Sequence, residues 1–193
     1  MMEKVDIDNT NLLLSRYSGD SLIVLLTGAS GAGKSHLANA LEEHLDADKA
    51  HVAYFDRIGI PSIEEMVREH GSGEKWQEAK THEWITKLAK LGDKALVVFE
   101  GQYNPQFAGD GCRIAGVTNY LLFVVNCDET TRERRLSELR NQPELINDDM
   151  RHWARFLNDK TIALGGTVLD TSSSDISATI NTLAKQINGK LSS

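Results

Sequence analysis

Apolar positions along the chain switch between two spacings. Residues 21–28, SLIVLLTG, form a continuous apolar run that ends in glycine. A run of that length, closed by a turn residue, predicts a strand buried on both faces. After Gly33 the period changes: Leu37, Ala38, Leu41 and Leu45 recur at helical spacing and predict a helix over about 33–45. The alternation then repeats. HVAYFD (51–56), ALVVFEG (95–101), YLLFVVN (120–126) and GTVLDT (166–171) read as four further strands. Residues 62–70, about 74–91, 128–140, 148 to about 164 and 175 to about 187 read as helices. Trp76, Trp84 and Ile85 can line one face of the second of these, and Trp153, Phe156 and Leu157 the inner face of the fourth.

Strands alternating with helices build βαβ units, and continuous apolar strands call for helices on both faces of a parallel sheet. The expectation is an α/β fold with five parallel strands in one domain over residues 21–193, preceded by a leader over 1–20 with at most a short amphipathic turn at 12–14. The 193 residues, 40% hydrophobic and 25% charged, suffice for one sizeable core. The net charge of −7 weighs against duplex nucleic acid as a partner. Cys112 and Cys127 lack metal-ligand spacing and read as buried thiols in a reducing compartment. No apolar run nears the ~18 residues of a membrane span, and no apolar segment marks a signal peptide, so a cytoplasmic location is expected.

The motif that decides the class is GASGAGKS at 28–35. It matches G-x-x-x-x-G-K-[ST] in full and lies where that motif must lie, between a buried strand and a helix. Gly28, Gly31 and Gly33 let the backbone, through Ser30 and Ala32, aim several N–H groups into one concavity. The following helix points its positive end at the same place. Lys34 then reaches the β- and γ-phosphates, and the Ser35 hydroxyl ligates Mg²⁺. His36 follows directly, as a helix-surface neighbour of the nucleotide rather than a catalyst.

On this motif and the order of its elements over about 21–188, the chain resembles the P-loop kinases of the nucleoside monophosphate kinase-like and shikimate/gluconate kinase-like group. The resemblance implies a three-layer P-loop NTPase fold with strand order 2-3-1-4-5, ATP and Mg²⁺ at the loop, and an arginine-bearing lid after the fourth strand. Several members of that group carry an acid at the end of the second strand that takes the proton of the attacking hydroxyl. Carried over, Asp56 is the candidate general base and Arg57 a clamp for substrate anions. A strand-end Asp capping a turn, ion-paired with Arg57, would look the same in sequence. The third strand ends in Glu100, where a Walker B acid holds the Mg²⁺ shell or the substrate; most relatives prefer Asp there. Gln102 follows on the same rim, and Arg113 is a weaker candidate for a substrate anion.

Arginine is unevenly distributed. Six of the ten lie between 132 and 155, a stretch without lysine. Bidentate phosphate contact favours arginine over lysine. Residues 128–147 are therefore the expected lid, with Arg135 and Arg140 its best positions, although Asp128, Glu133 and Glu138 could simply pair with these arginines along a solvated helix. Thr171 and Ser172, after the fifth strand, are expected beside the adenine.

These readings converge on a kinase that moves the γ-phosphoryl group of Mg·ATP to a small-molecule hydroxyl or phosphate, with residues 57–94 forming most of the acceptor pocket. Two alternatives remain open in the sequence: an NTP hydrolase or nucleotide-dependent switch with a protein partner, and a nucleotide 5′-hydroxyl kinase.

Overall fold

The five apolar runs pair into one parallel sheet. β1 (Leu22–Thr27), β2 (Ala50–Tyr54), β3 (Leu96–Glu100), β4 (Tyr120–Asn126) and β5 (Thr167–Asp170) lie in the order β2-β3-β1-β4-β5. Among the described residues eight α-helices accompany them: α1 (Ile7–Arg16), α2 (Lys34–Glu42), α3 (Ile63–His70), α4 (Gly73–Leu88), α5 (Pro105–Ala115), α6 (Glu129–Arg134), α7 (Asp148–Ala163) and α8 (Ile176–Leu191). The structure, a computed structural model, describes residues 7–173 and 175–193. Residues 1–6 of the expected leader lie outside the described residues.

Successive strand residues face opposite sides of a sheet, so each buried strand feeds two cores. Val24 and Leu26 of β1 join Leu37 and Leu41 of α2, Leu183 and Ile187 of α8, and Leu14 of α1. Ile23 and Leu25 join Ile85 of α4 and Ala108 and Cys112 of α5 on the other side, where Val124 of β4 packs with Leu157 of α7. The result is three layers. Among the described residues no helix is long and apolar enough to cross a membrane.

Four features depart from the sequence reading. The leader contributes α1, a full helix whose Ile7 and Leu14 are buried. Apolar periodicity does not mark α5, because its inner face is made of small residues: a Cβ on Gly111 would stand 2.9 Å from Ile85 Cδ1 of α4. Its visible signal is the cap, Asn104 Oδ1 accepting from Gln106 N at 3.0 Å with Pro105 in the first turn. The helix expected over 128–140 is α-helical only to Arg134 and finishes in a π turn, Arg135–Leu139. Phe156, expected inward, is 40% exposed.

Candidate active site

Parallel register brings three strand ends level. Leu26 of β1 and Tyr54 of β2 both align with Glu100 of β3. The loop after β1, the turn after β2 and the last residue of β3 therefore meet at one edge, where ligands gather in open α/β sheets. Two glycines are needed for the backbone to pass there. A Cβ on Gly28 would lie 2.4 Å from the Val125 carbonyl oxygen of β4. Gly33 holds φ +94 at the mouth of α2, a conformation that side chains rarely adopt.

The start of α2 is unlike those of α3 to α8. α3, α4, α5, α6, α7 and α8 each begin with a side chain accepting from a first-turn N–H: Ser62, Ser72, Asn104, Asp128, Asn147 and Asp175. α2 has no side-chain cap and no acid in its first turn. Its first amide groups have no partner within the helix, and the helix dipole adds positive potential beside them. Uncapped and unneutralised, this end suits an anion.

Lys34 is buried in front of it, 8% exposed, with Nζ donating to the Ala29 carbonyl at 3.2 Å. Burial holds its pKa below the ordinary lysine value, while the negative charges of Glu100 and Asp56 pull it back up and Arg140 opposes them. Glu100, 5% exposed, accepts from Ser35 Oγ at 3.4 Å. Burial pushes its carboxyl above the usual range, against the attraction of Lys34. Lys34, Glu100, Asp56 and Arg140 thus share one field, although they come from four separate stretches of chain.

A cavity of about 540 Å³ opens beside the loop, between Gly33, Lys34 and His36 on one side and Arg135, Arg140, Thr171 and Ile176 on the other. One staple holds its walls. Thr171 Oγ1 donates to the Ala32 carbonyl at 2.6 Å, and Arg135 donates to the Thr171 carbonyl at 2.6 Å and to Thr171 Oγ1 at 3.0 Å. Arg135 is therefore fastened to the β5 exit as well as facing the cavity. Arg140 is exposed on the rim. Gln102 accepts from Ser30 Oγ at 3.0 Å, which ties the β3 exit to the loop.

Other expected positions fall elsewhere. Asp56 does not end β2, which stops at Tyr54; it sits in a short 3-10 turn, Phe55–Ile58, where its charge still acts on Lys34. Arg57 stacks over the Tyr54 ring at 4.0 Å instead of pairing with Asp56. Ser172 binds Asp170 Oδ1 at 2.6 Å and accepts from Asp128 N, and it is not on the cavity wall. Arg113 lies in the last turn of α5, paired with Asp110. Nine residues separate it from the Asn104 cap, about 13 Å along the helix axis, and the chain then turns to the start of β4 at the opposite edge of the sheet.

The sequence reading does not single out two contributors. Arg132, 8% exposed, donates to Asn126 Oδ1 and the Cys127 carbonyl, both at 3.0 Å, and fixes the β4 exit against the loop. It is one of the lid arginines, and nothing in sequence separates it from them. Gln77 of α4 donates to the Gln102 carbonyl at 3.2 Å and accepts from Asn104 N at 3.0 Å, a placement that only the α4–α5 packing creates.

A family model described as an AAA domain matches residues 24–154. The chain belongs to that family. No curated protein matches the chain in sequence. Solved structures do match this family member in fold. A gluconokinase from Sinorhizobium meliloti 1021 is 16% identical, with TM-score 0.63 over 90% of this chain and 95% of that one. The tunicamycin resistance protein of Deinococcus radiodurans is 16% identical, with TM-score 0.56 over 89% and 95%. Shikimate kinase from Acinetobacter baumannii, in complex with shikimate, is 17% identical, with TM-score 0.52 over 90% and 94%. The expected strand order and P-loop kinase fold hold.

Proposed function

We propose that the protein is an ATP-dependent kinase that transfers a γ-phosphoryl group to a hydroxyl or phosphate of a small molecule. The observation that carries this reading is the buried Lys34, within the fields of Glu100 and Asp56, at the uncapped end of α2. The names of the similar folds, gluconokinase and shikimate kinase, support it.

The residues divide the work as follows. Loop amides from Gly28 to Ser35 and the α2 terminus bind the phosphates of ATP. Lys34 offsets their charge where water is largely excluded, so its effect is stronger than in bulk solvent. Ser35 and Glu100 are hard oxygen donors of the kind that hold Mg²⁺ together with phosphates and water. The bound ion would supply further charge neutralisation. Asp56 orients the acceptor hydroxyl and takes its proton as the new O–P bond forms and the bond to the ADP oxygen breaks. Arg140, and Arg135 from its staple, face the charge on the transferring group. Leu139 and Ile176 give the same cavity an apolar side for the base. Arg57, Gln102 and Thr171 hold or line the site, and the buried free thiols of Cys112 and Cys127 fit a cytoplasmic setting.

The test is ADP release from Mg·ATP with and without a panel of hydroxylated metabolites, nucleosides and nucleotides. Acceptor-dependent release is expected, and Asp56→Asn should lower kcat by roughly 10²–10⁴ with little change in the KM for ATP. Release that ignores every acceptor would replace the kinase by a hydrolase.

A further inference from the structure

A second cavity, of about 520 Å³, lies on the α4–α5–α7 side of the loop. Three aromatic side chains line it. Trp153 and Phe156 of α7 are stacked, with centroids 5.2 Å apart at 17°, and Phe107 of α5 faces the same space. Hydrogen bonds tie this cavity to the phosphate cradle. Gln77 and Asn104 line it; Gln77 binds the Gln102 carbonyl, and the Gln102 side chain binds Ser30 of the loop. Two hydrogen bonds thus link the wall of this cavity to the glycine-rich loop, and the two cavities share no lining residue.

The charge of this cavity is informative. The first turns of α4, α5 and α7 all border it. Three helix N-termini would ordinarily favour an anion. Here Glu74 and Asp149 sit in the first turns of α4 and α7 and offset two of them, and the Asn104 side chain caps the third. Among the described residues no lysine or arginine lines the cavity, and His152 is its one basic side chain. A phosphate or carboxylate would meet acids and no cationic fork. A flat, uncharged ring would meet aromatic faces and, at its polar edge, the amide nitrogen of Asn104, whose Oδ1 is taken by the cap.

We propose that this cavity binds the phosphoryl acceptor, and that the acceptor is a neutral alcohol bearing an aromatic ring. The assignment rests on the kinase reading for the word acceptor, and on the cavity alone for the ligand's chemistry. Adding a ring to such an alcohol gains affinity here, and adding a phosphate loses it.

The test uses the full chain saturated with a non-hydrolysable ATP analogue, so that the nucleotide cavity is filled. It is titrated calorimetrically with phenyl glucoside, glucose, adenosine and 5′-AMP. At least one of the two neutral ring-bearing alcohols is expected to bind, about tenfold or more tighter than its comparator without the ring or with the phosphate. Phe156→Ala, at a half-exposed position that folding tolerates, should weaken that binding roughly threefold to tenfold, the range for a lost aromatic pair, and leave the affinity for the analogue unchanged. Glu74→Lys should bring 5′-AMP up toward adenosine. The proposal is overturned if neither ring compound binds, if 5′-AMP binds as tightly as adenosine, or if Phe156→Ala changes nothing. Failure of the analogue itself to bind would instead strike the kinase reading, and ring binding measured without analogue would still stand or fall separately.

Discussion

At the scale of single residues, the site places charge where burial disfavours it. Glu100 has its carboxyl pushed upward by burial, net of the attraction of Lys34. The folded protein therefore holds that proton more tightly than the unfolded chain does, and stability falls as pH rises from ~4.3, the unperturbed glutamate value, through the raised value. Glu100→Gln should melt at a higher temperature than wild type at pH 8, with the difference closing below about pH 4, while losing most of its turnover. An unchanged or lower melting temperature at pH 8 would mean that Glu100 stabilises the fold. Lys34 is shifted the opposite way, and its cost is largest at low pH and fades as pH rises toward the ordinary lysine value. Lys34→Ala should abolish transfer with no loss of thermal stability at pH 7. Lys34 and Ser35 were legible in sequence because eight contiguous residues carry the motif; the roles of Arg132 and Gln77 were not, since their partners are remote in the chain.

At the scale of elements, function sits where local rules are broken. Helices α3 to α8 begin with a capping side chain, and α2, which has none, opens on the cavity of Lys34, Arg135 and Thr171. The helix after β4 widens to a π turn at Arg135, a departure frequent at functional sites. That turn keeps Arg135 on the Thr171 staple while Arg140 reaches the rim. Thr171→Val deletes the donor to Ala32 and one of the two Thr171 acceptors for Arg135, leaving the carbonyl. It should cost about 1–2 kcal/mol in chemical denaturation and raise the KM for ATP several-fold, with a smaller effect on kcat. The cap of α5 offers a control: Asn104→Ala should cost about 1 kcal/mol and leave the KM for ATP unchanged. Helix α5 itself shows the limit of periodicity. Gly111, Ala108 and Cys112 pack closely on α4 because they are small, and small residues leave a faint apolar signal.

At the scale of the whole molecule, the residues before β1 belong to the core. Leu14 of α1 is fully buried with α8 and the sheet. Leu14→Ala should destabilise by about 2–5 kcal/mol, read as a lower melting temperature, with the KM for ATP unchanged in the folded fraction; a shift under 1 °C would show α1 to be dispensable. What the sequence by itself determined is local: five strands from continuous apolar runs, most helices from their period, and a glycine-rich G-x-x-x-x-G-K-[ST] loop between a strand and a helix from contiguous spacing. Strand order entered only through resemblance, because period and burial do not say which strand lies beside which. What the tertiary structure alone decided is whatever depends on contacts between remote segments. Parallel register aligned Glu100 with Tyr54 and Leu26, the turn after β2 brought Asp56 into the electrostatic field of Lys34, and the α5 axis took Arg113 away to the far ends of the strands. The aromatic cavity joins residues about eighty positions apart, Gly73 to Phe156. Helix period fixes which face a residue occupies, but only packing fixes what that face meets.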